Sequence, residues 1–217
     1  MNTSSGLVAF VDTGTCTISA TIAANAGYAS ASASSISFTI TAASRTLTID
    51  PGSYSNSYAF TAGTKPTITS TASEGAGSKS YSSSDTSVCT VNSSSGLVAF
   101  VDAGTCTITA EIGVDGSYPA TNSPSISFTI TAVSRTLTIN SGSYSATYAF
   151  SVGTKPTLTS TASAGSGTKS YSSSTASVCT VNSSSGLVAF VAIGTCTISA
   201  SITAGGGYQS ASAEAID

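Results

Sequence analysis

The chain has 217 residues, a net charge of −3 and only 6 Lys and Arg residues. This charge balance argues against nucleic acid as a partner, because neutralising phosphates requires a basic surface. No stretch approaches the roughly 18 consecutive apolar residues of a membrane-spanning helix. Charged residues make up 7% of the chain and hydrophobic residues 40%, and Val, Ile, Phe and Tyr alternate with Thr and Ser. That pattern is typical of half-buried β-strands, so we expect the chain to fold.

The sequence repeats itself with a period of 90 residues. Asn2, Asn92 and Asn182 each begin a near-copy of one segment, which continues into Gly-Leu-Val-Ala-Phe-Val. This period fits compact sandwich modules better than solenoid units of roughly 20–50 residues. The repeat predicts three units: the C-terminal half of a truncated Ig-like module over 1–43, a complete module over 44–133, and a module lacking its last strand over 134–217.

Within the complete module, runs of alternating residues predict strands at 45–49, 65–71, 79–83, 87–91, 97–101, 105–112 and 125–131. The strand over 105–112 has the clearest alternation, with Cys106, Ile108, Ala110 and Ile112 on one face and Thr and Glu on the other. The loop 92–96 joins the predicted strands 87–91 and 97–101, either as a hairpin or as a bent continuation. No segment has a helical period. Roughly seven short strands in one module predict an all-β, two-sheet Ig-like sandwich.

The connections between modules, residues 41–44 and 131–134, are only a few residues long. Short connections that contain little Gly limit swivelling between neighbours. We therefore expect a semi-rigid rod of modules.

The 5 cysteines predict two disulfides and one unpaired thiol. Cys89 and Cys106 have the same spacing as Cys179 and Cys196, so each module would contain one bond. Cys16 matches Cys106 and Cys196, and we expect it to be unpaired because of truncation, since its partner would precede the sequence. Closing a loop of about 15 residues stabilises a fold by about 3 kcal/mol in the chain-entropy model.

Buried free thiols or a zinc site are the alternatives to these disulfides. Zinc is disfavoured because a module offers only two sulfurs and the chain has no His. Disulfides predict an extracellular or cell-surface location, with an export signal that is not present in this segment.

The acidic residues argue against a catalytic or metal site in each module. Asp50 is replaced by Asn140 in the next copy, and only Asp12 and Asp102 match, with Ala192 in the third copy. A His-based catalytic triad is ruled out by the absence of His. We therefore expect no enzyme, no catalytic or cofactor-binding residue, no cofactor and no dedicated metal site. An ion at a junction near Asp50 or Asp102 stays open, and the alternative is a solvated acid in a turn.

Basic and aromatic residues recur at matching positions. The basic pairs are Arg45 and Arg135, Lys65 and Lys155, and Lys79 and Lys169. We favour a structural role for them over ligand binding, because Lys on an edge strand prevents aggregation between sheets. Tyr28, Tyr118 and Tyr208 follow the Cys strand at one offset. Such residues can bind sugars or proteins, although closing the end of a sandwich is the commoner role.

Three features of the complete module resemble the bacterial Ig-like (Big) domain repeats. These are the Gly-Leu-Val stretch at 96–98, the Gly-Thr-Cys-Thr-Ile strand at 104–108, and Tyr118 before the last strand. The resemblance extends over essentially the whole chain. Such repeats occur in large secreted and cell-surface proteins, many of them adhesins, and related modules decorate phage particles. The resemblance implies an Ig-like sandwich in a stalk or adhesive array, and it implies no catalytic residue.

The leading functional prediction is a non-catalytic structural or adhesive repeat segment of an extracellular bacterial surface protein. Its partners would be neighbouring copies of the module and a host-surface protein or glycan. The alternative is a filament subunit that assembles head to tail, in which residues 35–41 complete the 134–217 module of another copy. A dedicated sugar- or protein-binding module ranks third, and an enzyme ranks last.

Overall fold

The computed structural model describes residues 2–61, 63–151 and 155–217. Residues 1, 62 and 152–154 fall within the predicted modules but lie outside the described residues. Apart from the two 3-10 turns Pro51–Ser53 and Ser141–Ser143, every regular element in the described ranges is a β-strand. The predicted all-β fold class is confirmed.

The strands fall into three groups along the chain. The first group contains β1 Gly14–Ile18, β2 Thr21–Ile22, β3 Ala31–Ser32 and β4 Ile36–Ile40. The second contains β5 Leu47–Ile49, β6 Ser57–Ala59, β7 Ser70–Ala72, β8 Lys79–Ser83, β9 Cys89–Val91, β10 Val98–Phe100, β11 Gly104–Ile112, β12 Thr121–Asn122 and β13 Ile126–Thr131. The third contains β14 Leu137–Ile139, β15 Ser160–Ala162, β16 Lys169–Ser173, β17 Cys179–Val181, β18 Val188–Phe190, β19 Ile198–Ile202 and β20 Ala211–Ser212.

β11 is the centre of the larger sheet in the second group. Its first half pairs antiparallel with β13, from Gly104 opposite Ile130 to Ile108 opposite Ile126. Its second half pairs antiparallel with β8 and with β12. β13 then pairs in parallel with β6. The nine residues of β11 therefore organise the ladders that close this sheet.

The facing layer consists of two short antiparallel ladders, β5 with β7 and β9 with β10. An isolated bridge between Thr67 and Leu97 joins them. The β9–β10 turn is a hairpin, in which the Asn92 side-chain oxygen accepts hydrogen bonds from two backbone N–H groups and Gly96 has a φ of 72°. The hairpin alternative for loop 92–96 is therefore the correct one.

Side chains from both layers meet in one core. The buried set is Leu47, Ile49, Ile68, Cys89, Val98, Cys106, Ile108, Ala110, Ile112, Phe128 and Ile130. The alternation predicted for 105–112 is confirmed, since the four residues assigned to one face are all fully buried. Each fully buried aliphatic or aromatic side chain contributes roughly 1.5–3 kcal/mol. The two layers thus form the sandwich predicted from the strand pattern.

The third group repeats most of these ladders at the same offset. β14 pairs with β15, β17 with β18, and β19 with both β16 and β20. The buried set is Leu137, Ile139, Leu158, Tyr171, Cys179, Val188, Ile198, Ala200, Ile202 and Ala213. The difference lies at the start of β19, which begins at Ile198, whereas β11 begins at Gly104. Residues 194–197 therefore lie outside any strand.

The first group is one long hairpin with two successive ladders, and it has no core among the described residues. β1 pairs with β4 and β2 with β3, and none of the described residues 2–43 is buried. Phe38 in β4 is half-buried, and its ring centroid lies 6.0 Å from that of Phe10, which is itself 68% exposed. This segment therefore has strands but lacks a second layer to cover them.

Candidate functional site

An open groove lies along residues 134–217, beside the segment that precedes β19. Its volume is about 480 Å³, and we call it the closing-strand groove; its lining includes Tyr144, Tyr148, Leu158, Phe190, Cys196 and Ile216. Most of its lining side chains are apolar or aromatic. A surface of this chemistry suits an apolar segment of polypeptide.

The second group of strands shows what fills the equivalent space. There the ring of Phe128 on β13 lies 5.3 Å from Tyr58, 6.3 Å from Tyr54 and 6.3 Å from Phe100, centroid to centroid. Phe128 is 2% exposed. The groove residues Tyr148, Tyr144 and Phe190 are the counterparts of those three rings one repeat later. The closing-strand groove therefore corresponds to the space that Phe128 of β13 fills one repeat earlier.

The aromatic wall of the groove already has the conformation found around Phe128. Tyr148 and Phe190 lie 5.5 Å apart, as do Tyr58 and Phe100. The Tyr148 hydroxyl accepts a 2.7 Å hydrogen bond from the Ser145 backbone N–H. Local hydrogen bonding and ring contact thus hold the wall in place without a strand beside it.

Both predicted cysteine pairs are disulfide-bonded, Cys89 with Cys106 and Cys179 with Cys196. The first bond joins the two layers of a sandwich, and the second joins β17 to the segment that precedes β19. Cys106 is fully buried, but Cys196 is only half-buried because it borders the groove. Cys16 has no sulfur partner among the described residues.

A second surface, the module junction, joins the second and third groups of strands. The Gly207 N–H donates a 2.6 Å hydrogen bond to the Asp102 carboxylate. Val133 N–H donates to the Gly207 carbonyl at 3.0 Å. The rings of Phe60 and Tyr208 meet edge to face, with centroids 5.9 Å apart. These contacts favour a fixed orientation between neighbouring modules.

Gly207 is required at this junction for a steric reason. Its φ is 77°, and a Cβ atom at this position would lie 2.1 Å from the ring of Phe60. Any larger residue would therefore separate the modules or displace the ring. At the preceding junction Ser117 takes the equivalent place, and its carbonyl accepts the Ala43 N–H at 3.0 Å. An equivalent backbone hydrogen bond is therefore present at both junctions. The second junction adds the contacts of Asp102 and Tyr208.

Asp102 and Asp50 both accept hydrogen bonds from groups of the protein. Hydrogen bonds from Gly207 and Ala103 N–H groups lower the pKa of Asp102 below its ordinary value. Hydrogen bonds from the Thr69 and Thr71 hydroxyls lower the pKa of Asp50, which lies on the ladder of β5 and not at a junction. In the described ranges, no group of three or more His, Cys, Asp or Glu residues is arranged to hold a metal ion.

The two arginines are buried, and two of the lysines donate hydrogen bonds to backbone carbonyls. Arg45 and Arg135 are buried, and their guanidinium groups donate to backbone carbonyls, including those of Gly113 and Thr203. Lys79 and Lys169 donate across the sandwich to backbone carbonyls of β7 and β15. Sequence reasoning favoured a structural role but assigned it to protection of sheet edges. The structure instead shows four of these cations donating hydrogen bonds to backbone carbonyl groups of the sandwiches.

None of the helices in the described residues has the length and apolar character needed to cross a bilayer. The two disulfides and the two-layer all-β architecture define an Ig-like sandwich class. The family described as "Intimin, immunoglobulin-like domain" matches residues 64–113, which include β7 to β11 and the first disulfide. This match confirms the bacterial Ig-like resemblance over that segment. No curated protein matches the chain at a significant level.

Solved structures of several extracellular proteins align with the chain. A mouse cadherin-23 fragment (EC22-24) is 15% identical with a TM-score of 0.33, and the alignment covers 94% of this chain and 74% of that one. A 282-residue C-terminal intimin fragment, solved in complex with the intimin-binding domain of the translocated intimin receptor, is 18% identical with a TM-score of 0.28. That alignment covers 78% of this chain and 62% of the fragment. At such TM-scores the sandwich assignment rests on the strand pairing described above, not on these alignments.

Proposed function

We propose that this chain is a non-catalytic structural and adhesive segment of an extracellular bacterial surface protein. The observation that carries the proposal is the intimin Ig-like match over residues 64–113. The chain would comprise a half module at 1–43, a complete module at 44–133 and a third module at 134–217, in the order that the repeat predicts. Disulfides between the layers support an oxidising, extracellular location.

The junction contacts support a stalk. Hydrogen bonds from Gly207 and Val133, together with the Phe60–Tyr208 ring contact, tie one module to the next. Such contacts restrain swivelling, so a series of modules projects whatever lies at its tip. Small-angle X-ray scattering of the chain tests this role: an extended particle with a narrow size distribution supports a stiff stalk, and a broad distribution contradicts it.

Repeated exposed apolar side chains support weak adhesion through many copies. Leu97 is 51% exposed and Val101 44%, and their counterparts Leu187 and Val191 are 50% and 51% exposed. One exposed pair per module, repeated along a rod, gives a partner several contacts at once, and avidity then exceeds the affinity of a single pair. The proposed partners are proteins or glycans of a host surface.

Beads coated with the chain test adhesion to cultured host cells. We expect wild-type beads to adhere and the variant with Leu97→Ser and Leu187→Ser to adhere several-fold less. A matched variant, Thr90→Ala with Thr180→Ala, changes exposed hydroxyls on the same hairpins and should adhere as wild type. Equal adhesion of all three proteins would refute the role of the apolar pairs, and no adhesion by wild type would refute the adhesive function.

The second candidate function is assembly of copies of this chain by strand addition, and it is favoured by the identity of residues 35–41 with residues 125–131, because one such strand can take the place of the other. Its first test is the dependence of molecular mass on protein concentration. A mass that rises with concentration supports assembly, and a constant monomer mass contradicts it.

A further inference from the structure

We propose that Asn92 and Asn182 are acceptor sites for N-linked sugars, and that the first sugar covers the exposed side chain of Leu97 or Leu187 beside it. The donor class is a glycosyl diphosphate, carried either by a nucleotide or by a lipid. The bond between Nδ2 and the anomeric carbon forms as the bond from that carbon to the diphosphate oxygen breaks. The diphosphate group leaves with the electron pair, and one amide proton passes to a base of the transferase. This inference goes beyond the adhesive function and does not depend on it.

The acceptor sequence Asn-x-Ser recurs at one position of the repeat. Such a sequence is the acceptor for N-linked sugars on protein surfaces. It is present at residues 92–94 and 182–184, and again at residues 2–4. Residues 2–11 differ from residues 92–101 only at the middle position of this sequence, where Thr3 corresponds to Ser93. The middle position therefore varies among the copies, whereas the asparagine and the hydroxyl two residues later do not.

The hairpin loop presents both groups of the acceptor sequence to solvent. Asn92 and Ser94 are exposed. The Asn92 Oδ1 atom accepts hydrogen bonds from the backbone N–H groups of Ser94 at 3.1 Å and Ser95 at 2.8 Å. Asn182 has the same two contacts, at 3.1 Å and 2.9 Å. The turn thus holds the carboxamide through its oxygen and leaves the Nδ2 atom for a transferase.

The fold accounts for the asparagine but not for the hydroxyl of Ser94. Ser93 contributes its carbonyl, which accepts the Tyr81 N–H at 3.0 Å. The Ser95 hydroxyl accepts the Leu97 N–H at 3.4 Å. Within the described ranges, no hydrogen bond involves the Ser94 hydroxyl. The fold alone would tolerate Ala at this position, whereas an acceptor sequence requires the hydroxyl there.

The other asparagines lack this combination. Asn140 is tied to the β14–β15 ladder by both amide atoms, because Nδ2 donates to the Thr159 hydroxyl at 2.8 Å and Oδ1 accepts the Thr161 hydroxyl at 2.9 Å. Two residues after it stands Gly142, and the corresponding residues after Asn25, Asn56 and Asn122 are Gly27, Tyr58 and Pro124. In a chain rich in Ser and Thr, the acceptor sequence is therefore confined to the tip of one hairpin.

The residue opposite the acceptor is an exposed leucine. The Asn92 N–H donates to the Leu97 carbonyl at 2.9 Å, next to the pair of Val91 and Val98. Residues directly opposite each other in a hairpin project to the same face. Val98 is buried, so Asn92 and Leu97 project outward. Leu97 is 51% exposed and Leu187 50%. The apolar C–H face of a pyranose ring attached to Nδ2 would cover this leucine and remove apolar surface from water.

Glycopeptide mapping of the folded full chain tests the acceptor sites. One arm uses a nucleotide-sugar-dependent N-glycosyltransferase with UDP-glucose, and the other uses an oligosaccharyltransferase with a lipid diphosphate oligosaccharide. Trypsin separates the sites, because Asn92 falls in peptide 80–135 and Asn182 in peptide 170–217. We expect both peptides to gain a sugar in at least one arm. Ser94→Ala should reduce modification of peptide 80–135 at least tenfold, and the matched control Ser93→Ala should leave it unchanged. Peptide 170–217 is the internal reference in both variants.

Hydrophobic-interaction chromatography tests the leucine contact. Attachment of the sugar should shorten the retention of the wild-type chain more than that of the variant with Leu97→Ser and Leu187→Ser. Equal shifts in the two proteins would remove the proposed contact between sugar and leucine.

Three outcomes would overturn the acceptor sites. The first is an absence of sugar from both peptides in both arms, while a synthetic Asn-x-Ser peptide is modified in the same reactions. The second is modification of peptide 80–135 that persists in Ser94→Ala. The third is modification only after the chain has been unfolded, which would show that the folded hairpin excludes the transferase. Bead adhesion is measured with the unmodified chain, so failure of this inference and failure of the adhesive function are distinguishable.

Discussion

Phe128 and Phe38 stand in identical heptapeptides, so the same substitution at each position isolates the effect of the surroundings. Phe128 is 2% exposed and lies against three aromatic rings. Phe38 is half-buried, and the one ring contact described for it is with the exposed Phe10. We predict that Phe128→Ala destabilises the 44–133 module strongly and that Phe38→Ala has almost no effect.

The magnitude follows from the burial. Replacing a buried Phe by Ala costs about 3–5 kcal/mol, because the apolar transfer energy is lost and a cavity is left. Aromatic pairs add about 0.5–1.5 kcal/mol each beyond their buried area, which favours the upper part of that range. A domain of this size has about 5–15 kcal/mol of total stability. Phe128→Ala should therefore remove a large part of it, whereas Phe38→Ala should change it by about 0.5 kcal/mol or less.

Urea unfolding under non-reducing conditions measures the difference. Far-ultraviolet circular dichroism reports loss of strands, and tyrosine fluorescence provides a second probe because the chain has no Trp. We expect Phe128→Ala to shift one transition to lower urea while Phe38→Ala overlays wild type. Equal shifts for the two variants would refute the assignment of Phe128 to a packed core, and so would a cost below about 1 kcal/mol for Phe128→Ala.

Further predictions concern the disulfides, the junction and a buried cation. The disulfide of half-buried Cys196 should be reduced before that of fully buried Cys106, since thiol access governs exchange; mass spectrometry after timed alkylation gives the order, and the reverse order contradicts the described burial. Asp102→Ala should broaden the size distribution in X-ray scattering, whereas Asp12→Ala at the matching position should not; equal effects would remove the junction role. Because the folded pKa of Asp102 is lowered, its stabilisation is fully present above the ordinary value of 3.8 and is lost as pH falls through the folded pKa, so wild type should loosen only in acid. Arg45→Ala should cost about 2–3 kcal/mol in urea unfolding, because it strips carbonyls of their donor; a cost near zero would show that water replaces the guanidinium.

The sandwich could be predicted from the sequence because its main signals are local. The alternation along 105–112 marks the buried face of β11, and the Asn-to-Gly loop marks the hairpin of β9 and β10. The cysteine pairs were accessible because the repeat gives the same spacing twice. The short strand β6 was missed, since three residues of Ser57–Ala59 have no pattern of their own and become a strand only by pairing with β13.

The functional surfaces depend on contacts that local patterns do not encode. Asp102 and Gly207 are far apart in sequence, so no local pattern predicts their hydrogen bond. The replacement of Asp102 by Ala192 in the third copy argued against a site shared by all modules, but it gave no information about a contact between modules. The structural role favoured for the basic residues rested on edge-strand Lys, and no local pattern indicated that Arg45 is buried. Its burial is compensated by hydrogen bonds that its guanidinium group donates to backbone carbonyls at the end of the sandwich. The contact between Tyr148 and Phe190 also required coordinates, because it joins residues that are distant in sequence.

The bond between Cys89 and Cys106 has a mechanical consequence for a chain that is pulled along its length. The two residues are 17 apart in sequence, and an extended chain spans roughly 3.3–3.6 Å per residue. When tension unfolds the module, the enclosed loop cannot lengthen, so the contour released is shorter by roughly 50–60 Å than for the reduced protein. An oxidised tether under flow would therefore stretch less at each unfolding event and hold its load closer to its anchor.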